Sequence, residues 1–482
     1  MIIQLPSINS IRSEIPTIST LIPICLAVFI AADDQTVIAT ILPPIMTDLH
    51  LGIADIDKAS WTITGYLLGY ICMMPLVGKL SDVFGHKRLL FITLIVFALG
   101  SLLVGLSTNL TFLVASRIFQ AIAAGATIPL AISIANNSLP KSKQIIAYGI
   151  IAACAEIGSI IGPLWGGIIT NFLDWRWVFW LNIPLVFLII PIVFKNIKTN
   201  DKTNENIDYA GAFFITSTLI FLTLFISRLQ IMNSITLLCG VVTTLAASGL
   251  IFRQLTANTP IIPRFLSSKE FIGSHMIQFL IGIALIIGMV TVPLMANTIF
   301  GLSPIHAGFW LLRLTLGVAI GAIAGSILGK LFNNQVIIIS GLILSATGYW
   351  FLSSWDQNIS DPLLTIHLLI TGIGLGSLIG PITQLATNTP SGKHHGIAAS
   401  LINTTKFLGM TLGLSSISVW GAYRFQQLNA DFTLSILTAN NPAAFNQIVT
   451  NGITVLTEFF LIAMAVCLFA IIPSLLISRN GL

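Results

Sequence analysis

The sequence predicts an all-α protein that crosses a membrane many times, and three observations carry that prediction. Only 8% of its 482 residues are charged while 55% are hydrophobic, against about a quarter charged in an ordinary soluble domain. The apolar residues gather into runs of about 20, the length a helix needs to cross the hydrocarbon core of a bilayer. The basic residues fall in the gaps between runs, and they crowd into alternate gaps.

The runs lie at 18–45, 60–79, 87–107, 110–135, 144–170, 176–194, 208–227, 234–253, 272–298, 307–331, 334–354, 362–387, 395–424 and 452–477, fourteen in all. Each is expected to be helical, because in lipid every backbone N–H and C=O needs a partner inside its own segment. Pro75, Pro163, Pro293 and Pro381 interrupt runs and are tolerable where neighbouring helices meet the freed groups. The first run is too long for a signal-peptide core and carries Asp33 and Asp34, so it reads as the first spanning helix.

Net charge is +5, yet the basic residues form no stripe, so no nucleic-acid partner is expected. With both termini inside, the inward gaps and tails hold Arg12, Lys79, Lys87, Arg88, Lys141, Lys143, Lys195, Lys198, Lys202, Arg253, Arg264, Lys269, Lys330, Lys393 and Arg479. The outward gaps hold only Lys58, Arg176, Arg228 and Arg424. That asymmetry predicts a multi-pass protein of the cell's inner (cytoplasmic) membrane, with both termini cytoplasmic and an even number of spans.

Two polar gaps, KNIKTNDKTNENIDY (195–209) and RQLTANTPIIPRFLSSKE (253–270), flank one pair of runs. The expected organisation is a six-helix bundle over 1–200, an inserted helix pair with its loops over 201–260, and a second six-helix bundle over 261–482. The outward gap at about 425–451 reads either as a loop or as an extension of the last two helices. DWRWVFWLN (174–182) reads as an interfacial aromatic belt. Cys25, Cys72, Cys154, Cys239 and Cys467 all fall inside apolar runs, match no metal spacing and are expected to be small core residues. His394 and His395 read as a polar boundary rather than a chelate.

Ionisable groups inside spans face a cavity, a partner or a transport path. Here they are Asp33, Asp34, Arg117, Glu156, Arg313, Lys406 and Glu458. Acids and bases together form either fixed ion pairs or partners that alternate through a cycle. Asp34, Glu156, Arg313, Lys406 and Glu458 are the candidates for proton coupling; the role of Asp33 is less clear. Glu156 stands beside Gly158, Gly162 and Gly166, which share one helix face and permit close packing and sliding; Lys406 and Arg313 are its candidate partners. GKLSDVFGHKR (78–88) closes a span with Gly78 and Gly85 suited to turns and Asp82 placed to cap a helix or meet a cation.

With these motifs in order, the chain resembles the major facilitator superfamily, and within it the fourteen-helix drug:proton antiporter branch. GKLSDVFGHKR resembles the gating signature between the second and third helices, with Asp82 at its acid and Lys87 and Arg88 at its basic end. RIFQAIAAGATIPL (117–130) resembles the fourth-helix signature through Arg117 and Gln120, with Ala121 and Ala123 where glycines are common. GSIIGPLWGG resembles the antiporter signature through Gly158, Gly162, Pro163, Gly166 and Gly167, and DQTVIATILP (34–43) resembles the first-helix signature, with Ala39 at a commonly polar position. WTITGYLLGYICMMPLVG (61–78), DWRWVFWLNIP (174–184) and NTTKFLGMTLG (403–413) extend the likeness over essentially the whole chain. The second-half counterpart of the gating signature, GSILGKLF (325–332), has no acid.

The resemblance implies two six-helix bundles plus an inserted pair, and alternating access driven by the proton gradient, with no cofactor or metal. It implies export of amphipathic drugs or dyes by a chain that functions as a monomer among membrane lipids. Glu156 and Arg313 look similar to mycobacterial lipid-exporting members, which makes a lipid or glycolipid the alternative cargo. A receptor or scaffold without net transport is a third reading. An enzyme is not expected: the sequence has no HExxH or GxSxG, and without GxxxxGK[ST] it has no ATP-driven motor of that kind.

Overall fold

In the computed structural model the described residues are 8–52, 55–197, 209–229, 233–256, 269–329, 332–356, 359–387, 395–430 and 442–477. Most of the two polar gaps, His394, the side chain of His395 and residues 431–441 of the outward segment lie outside them, as do the side chains of Asp82 and Glu156.

The long helices are α1 (Ile8–Asp48), α2 (Trp61–Phe84), α3 (His86–Gly105), α4 (Leu110–Ser138), α5 (Lys141–Phe172), α6 (Asn182–Asn196) and α7 (Tyr209–Ser227). They continue as α8 (Ser234–Thr256), α9 (Lys269–Thr298), α10 (Pro304–Leu328), α11 (Asn334–Ser353), α12 (Leu363–Ser377), α13 (His395–Leu428) and α14 (Pro442–Phe469). Twelve helices among the described residues are long and apolar enough to cross a membrane. That number falls short of the fourteen expected spans, because the runs at 60–79 and 395–424 are not among the twelve. Both runs are nevertheless helical, as α2 and α13, and both pack inside the bundle.

Helix packing repeats itself with an offset of eight. The pairs α1–α5, α2–α4, α3–α4 and α3–α6 recur as α9–α13, α10–α12, α11–α12 and α11–α14. Across the middle, α5 meets α10, α2 meets α13, and α1 meets α9. Helices α7 and α8 pack chiefly on each other, and α7 leans on α2 and α13. Their outward faces are apolar, as at Phe213, Leu238, Leu245 and Phe252, all more than half exposed; lipid tails are the natural partner for such a surface.

The α1–α5 contact owes its closeness to the glycine face. A Cβ built at Gly158 meets the Phe29 carbonyl at 2.5 Å, one at Gly162 meets the Asp33 carbonyl at 2.6 Å, and one at Gly166 meets Val37 at 2.5 Å. Any side chain there would push two backbones apart, which is why small residues occupy this seam. The hydroxyl of Thr40 donates to the Pro163 carbonyl at 3.1 Å and adds a polar tie across it. Gly167 turns instead toward α10, where an added Cβ would lie 2.7 Å from the Pro304 carbonyl.

At the rim that the charge asymmetry assigns to the outside, Arg176 ties three elements together. Its Nη2 donates to Asp48 at 2.9 Å and to the Ser107 carbonyl at 3.1 Å, and its guanidinium stacks 4.4 Å from the Trp175 ring. Trp175 is itself buried and donates to Asp48 at 3.4 Å, whereas Trp177 is exposed. The 174–182 stretch is therefore only partly an aromatic belt; half of it is a clamp inside the protein.

Candidate functional site

The first-helix acid sits at the centre of a closed polar knot. Asp34 lies midway along α1, and its Oδ2 accepts from Arg117 Nη1 of α4 at 2.7 Å, with both side chains wholly buried. The second Asp34 oxygen accepts from Gln120 Nε2 at 2.9 Å and from Asn182 Nδ2 of α6 at 3.0 Å. Gln120 also donates to Ser101 of α3 at 2.8 Å and accepts from Arg117 Nη1 at 2.7 Å. Arg117 Nη2 reaches the Asp34 carbonyl at 3.2 Å.

The one-turn spacing of Arg117 and Gln120 puts both side chains on the same face of α4. Their guanidinium and amide together hold a carboxylate with charge-assisted hydrogen bonds, the stronger kind. The guanidinium also lies 3.9 Å from the Tyr66 ring of α2 and 5.3 Å from Phe179. A desolvated cation over an aromatic face is stabilised by the ring quadrupole. One knot thus fastens α1, α2, α3, α4 and α6.

An aromatic line leads from this knot to the other half of the molecule. Tyr66 stacks on Tyr70 with ring centres 6.1 Å apart, and Tyr70 meets Phe407 of α13 edge-on at 4.9 Å. The half-buried Lys406 places its Nζ 5.1 Å from the Phe407 ring. Among the proton-coupling candidates whose side chains are described, Lys406 lies where α13 meets α2.

The other candidates lie elsewhere. Arg313 of α10 pairs with Asp361, just before the start of α12, at 2.9 Å, so the geometry gives it a partner other than Glu156. Outside the spans, a hydrogen bond from Thr365, helped by the charge of Arg313, holds Asp361 below the usual aspartate range. Glu458 of α14 pairs with Arg424 of α13, through contacts of 3.2 and 3.3 Å. Glu156 lies in α5 two residues before the glycine seam, its side chain outside the described residues.

The gating stretch turns between α2 and α3 at Gly85, whose φ of 84° is a conformation that favours glycine. Gly78 and Asp82 occupy the last two turns of α2. Lys87 Nζ donates to the Phe194 carbonyl at 2.7 Å and ties the start of α3 to the end of α6, while Arg88 is exposed. Along the antiporter signature, Gly158, Gly162 and Gly166 face α1, while Pro163 and Gly167 also touch α10.

Sequence reasoning named Asp34, Arg117 and Gln120 but did not join them, and it missed Ser101, Asn182, Tyr66 and Tyr70. Asn182 carried a usable signal, being a lone amide at the head of a strongly apolar run. A vestibule of about 680 Å³ opens at the rim that carries Arg176, lined by Pro43, Asp48, Asp174, Trp175, Asn297 and Pro304 among others.

Known proteins agree with this architecture. A bacterial homologue of the human lysosomal transporter Spinster, solved inward-facing and unoccupied, superposes with a TM-score of 0.68 at 15% identity, covering 95% of this chain and 97% of its own. The xylose transporter XylE from E. coli, inward open, gives 0.60 at 13% identity over 94% and 95%. At such identities the likeness is one of fold. The triacylglyceride transporter of Mycolicibacterium smegmatis is 30% identical over 94% of this chain and 86% of its own length. That of Mycobacterium tuberculosis H37Rv is 28% identical over 94% and 93%. The model of the Major Facilitator Superfamily matches residues 24–414, from the first helix to α13. With the signatures, the repeated helix pairing and that match in agreement, the chain belongs to the Major Facilitator Superfamily.

Proposed function

We propose that this chain is a secondary transporter that exports neutral lipid of the triacylglyceride class by alternating access, driven by protons. The observation that carries the cargo is the agreement of relatives at 28–30% identity over most of both chains, each named a triacylglyceride transporter. It places lipid ahead of the drugs or dyes expected from the antiporter-branch resemblance.

The reading has fourteen spans, α1 to α14, as two six-helix units over 1–200 and 261–482 joined by the pair at 201–260. Both termini are cytoplasmic, and the unit of function is the monomer in the inner membrane. The repeat of helix pairing supports the two units, and the α5–α10 and α2–α13 contacts are the natural axes for rocking. The knot at Asp34 keeps the first unit rigid, and the line from Tyr66 to Lys406 carries a change of charge in one unit to the other.

The test uses the full chain in vesicles containing a fluorescent triacylglyceride, with transfer to acceptor vesicles as the readout and efflux of a cationic dye alongside. Protein-dependent lipid transfer is expected. Dye efflux without lipid transfer would return the cargo to the drug class.

A further inference from the structure

We propose that Asp33, rather than Asp34, carries the transported proton; the proposal rests on the proton-driven reading above. The two acids differ in what surrounds them. Asp34 is saturated: three side-chain N–H groups close on its two oxygens in a site without exposure. A proton can settle there only by displacing a donor. Asp33 lies about 100° further round the same helix, against the α5 seam. It is 7% exposed, and among the described residues its Oδ1 is buried without a hydrogen-bond partner.

Among the described residues, the groups around Asp33 do not neutralise a charge. From its own helix it feels Asp34, a like charge that Arg117 of α4 already balances. From α2 comes Tyr66, whose hydroxyl is turned to the Ala31 carbonyl at 3.3 Å. From α5 comes backbone at Gly158 and Gly162, with Glu156 the ionisable residue of that stretch, its side chain outside the described residues. Asn182 of α6 is spent on Asp34. In α9, the titratable residues Lys269, Glu270 and His275 sit in the first two turns; in α10, Arg313 is held by Asp361.

A buried carboxylate without a cation or donor costs far more than a neutral carboxyl in the same place. In this proposal Asp33 holds its proton in the packing seen here. Its backbone forms part of the seam along which α5 packs by glycine alone, so a small displacement of α5 admits water beside it. The proton then leaves to that water, and the remaining carboxylate favours the hydrated arrangement until it is protonated again. Such a group converts a proton gradient into a preference between two helix packings, because each protonation state stabilises a different one.

Two readouts test it on the full chain in lipid vesicles. Infrared spectroscopy near neutral pH is expected to show a neutral-carboxyl C=O band that D33N removes, D34N and E156Q retain, and D33E shifts in frequency. A band that survives D33N, or that disappears in E156Q instead, overturns the proposal. D33E guards against a D33N protein that does not insert, since an unshifted band in D33E also overturns it. In the second readout, transfer of a fluorescent triacylglyceride is driven by an imposed pH gradient. D33N is expected to fall to the level of protein-free vesicles. A wild type that ignores the gradient overturns the proton-driven reading itself, whereas a wild type and a D33N protein that respond equally overturn only the assignment to Asp33.

Discussion

Replacing Asp34 by Asn probes the knot at its centre. The substitution keeps the size of the side chain but removes its charge and one of its two acceptor oxygens. Three donors then converge on a group with a single acceptor oxygen and an NH2, and Arg117 is left as a buried cation without a counter-charge. Both partners are wholly buried in the wild type, so solvent does not soften the loss, and breaking such a pair costs about 3–5 kcal/mol. Removing the cation as well, in D34N/R117M, takes away the uncompensated charge, and the double variant is expected to be more stable than D34N. The coupling between the two positions is then of the order of 1–3 kcal/mol. Denaturant unfolding of the purified protein in detergent, with all four forms in one cycle, reads these differences. Additive effects, or a D34N protein as stable as wild type, would refute the pairing and its burial.

Other consequences can be checked one at a time. Gly162→Val would force α1 and α5 apart at the Asp33 carbonyl, and the overpacking is expected to destabilise by about 1–3 kcal/mol; an unchanged unfolding midpoint would mean the seam is looser than described. Cys25 and Cys154 continue the four-residue register of Phe29–Gly158 and Asp33–Gly162 across the α1–α5 seam. The two-electron oxidant diamide should therefore link them, and mass spectrometry should find the joined peptides in wild type but not in C25S. Asp361 is held below its ordinary range, so its contribution is present above that range and is lost as pH falls through the depressed value. The stability difference between wild type and R313A should accordingly close on acidification; a constant gap would place the effect of Arg313 elsewhere.

Much of this fold is legible in the sequence because lipid leaves few alternatives. An apolar run of 20 residues must be helical, and the glycines spaced by four in α5 announce a close seam before its partner is known. The partners were not legible. Asp34 and Arg117 are 83 positions apart, and nothing local to either says that α4 turns Arg117 toward α1. Arg313 read as an intramembrane charge because its run is apolar throughout, yet it lies close enough to the rim to reach Asp361. Of the two runs outside the twelve, α13 is the more polar, carrying Asn403, Thr404, Thr405 and Lys406 within one turn, whereas α2 is as apolar as helices among the twelve. Asp33 was obscure for a related reason: adjacent acids look equivalent in a string, and only packing separates a saturated one from an unpartnered one.

Whether a proton gradient drives lipid through this chain, as proposed, is decided by one measurement. Full-length protein is reconstituted in vesicles carrying a fluorescent triacylglyceride, a pH gradient is imposed, and transfer to acceptor vesicles is followed before and after an uncoupler is added. Transfer is expected to need the protein, to rise with the gradient and to collapse with the uncoupler. Lipid transfer that is indifferent to the gradient, or absent while a cationic dye is pumped, would contradict the proposal.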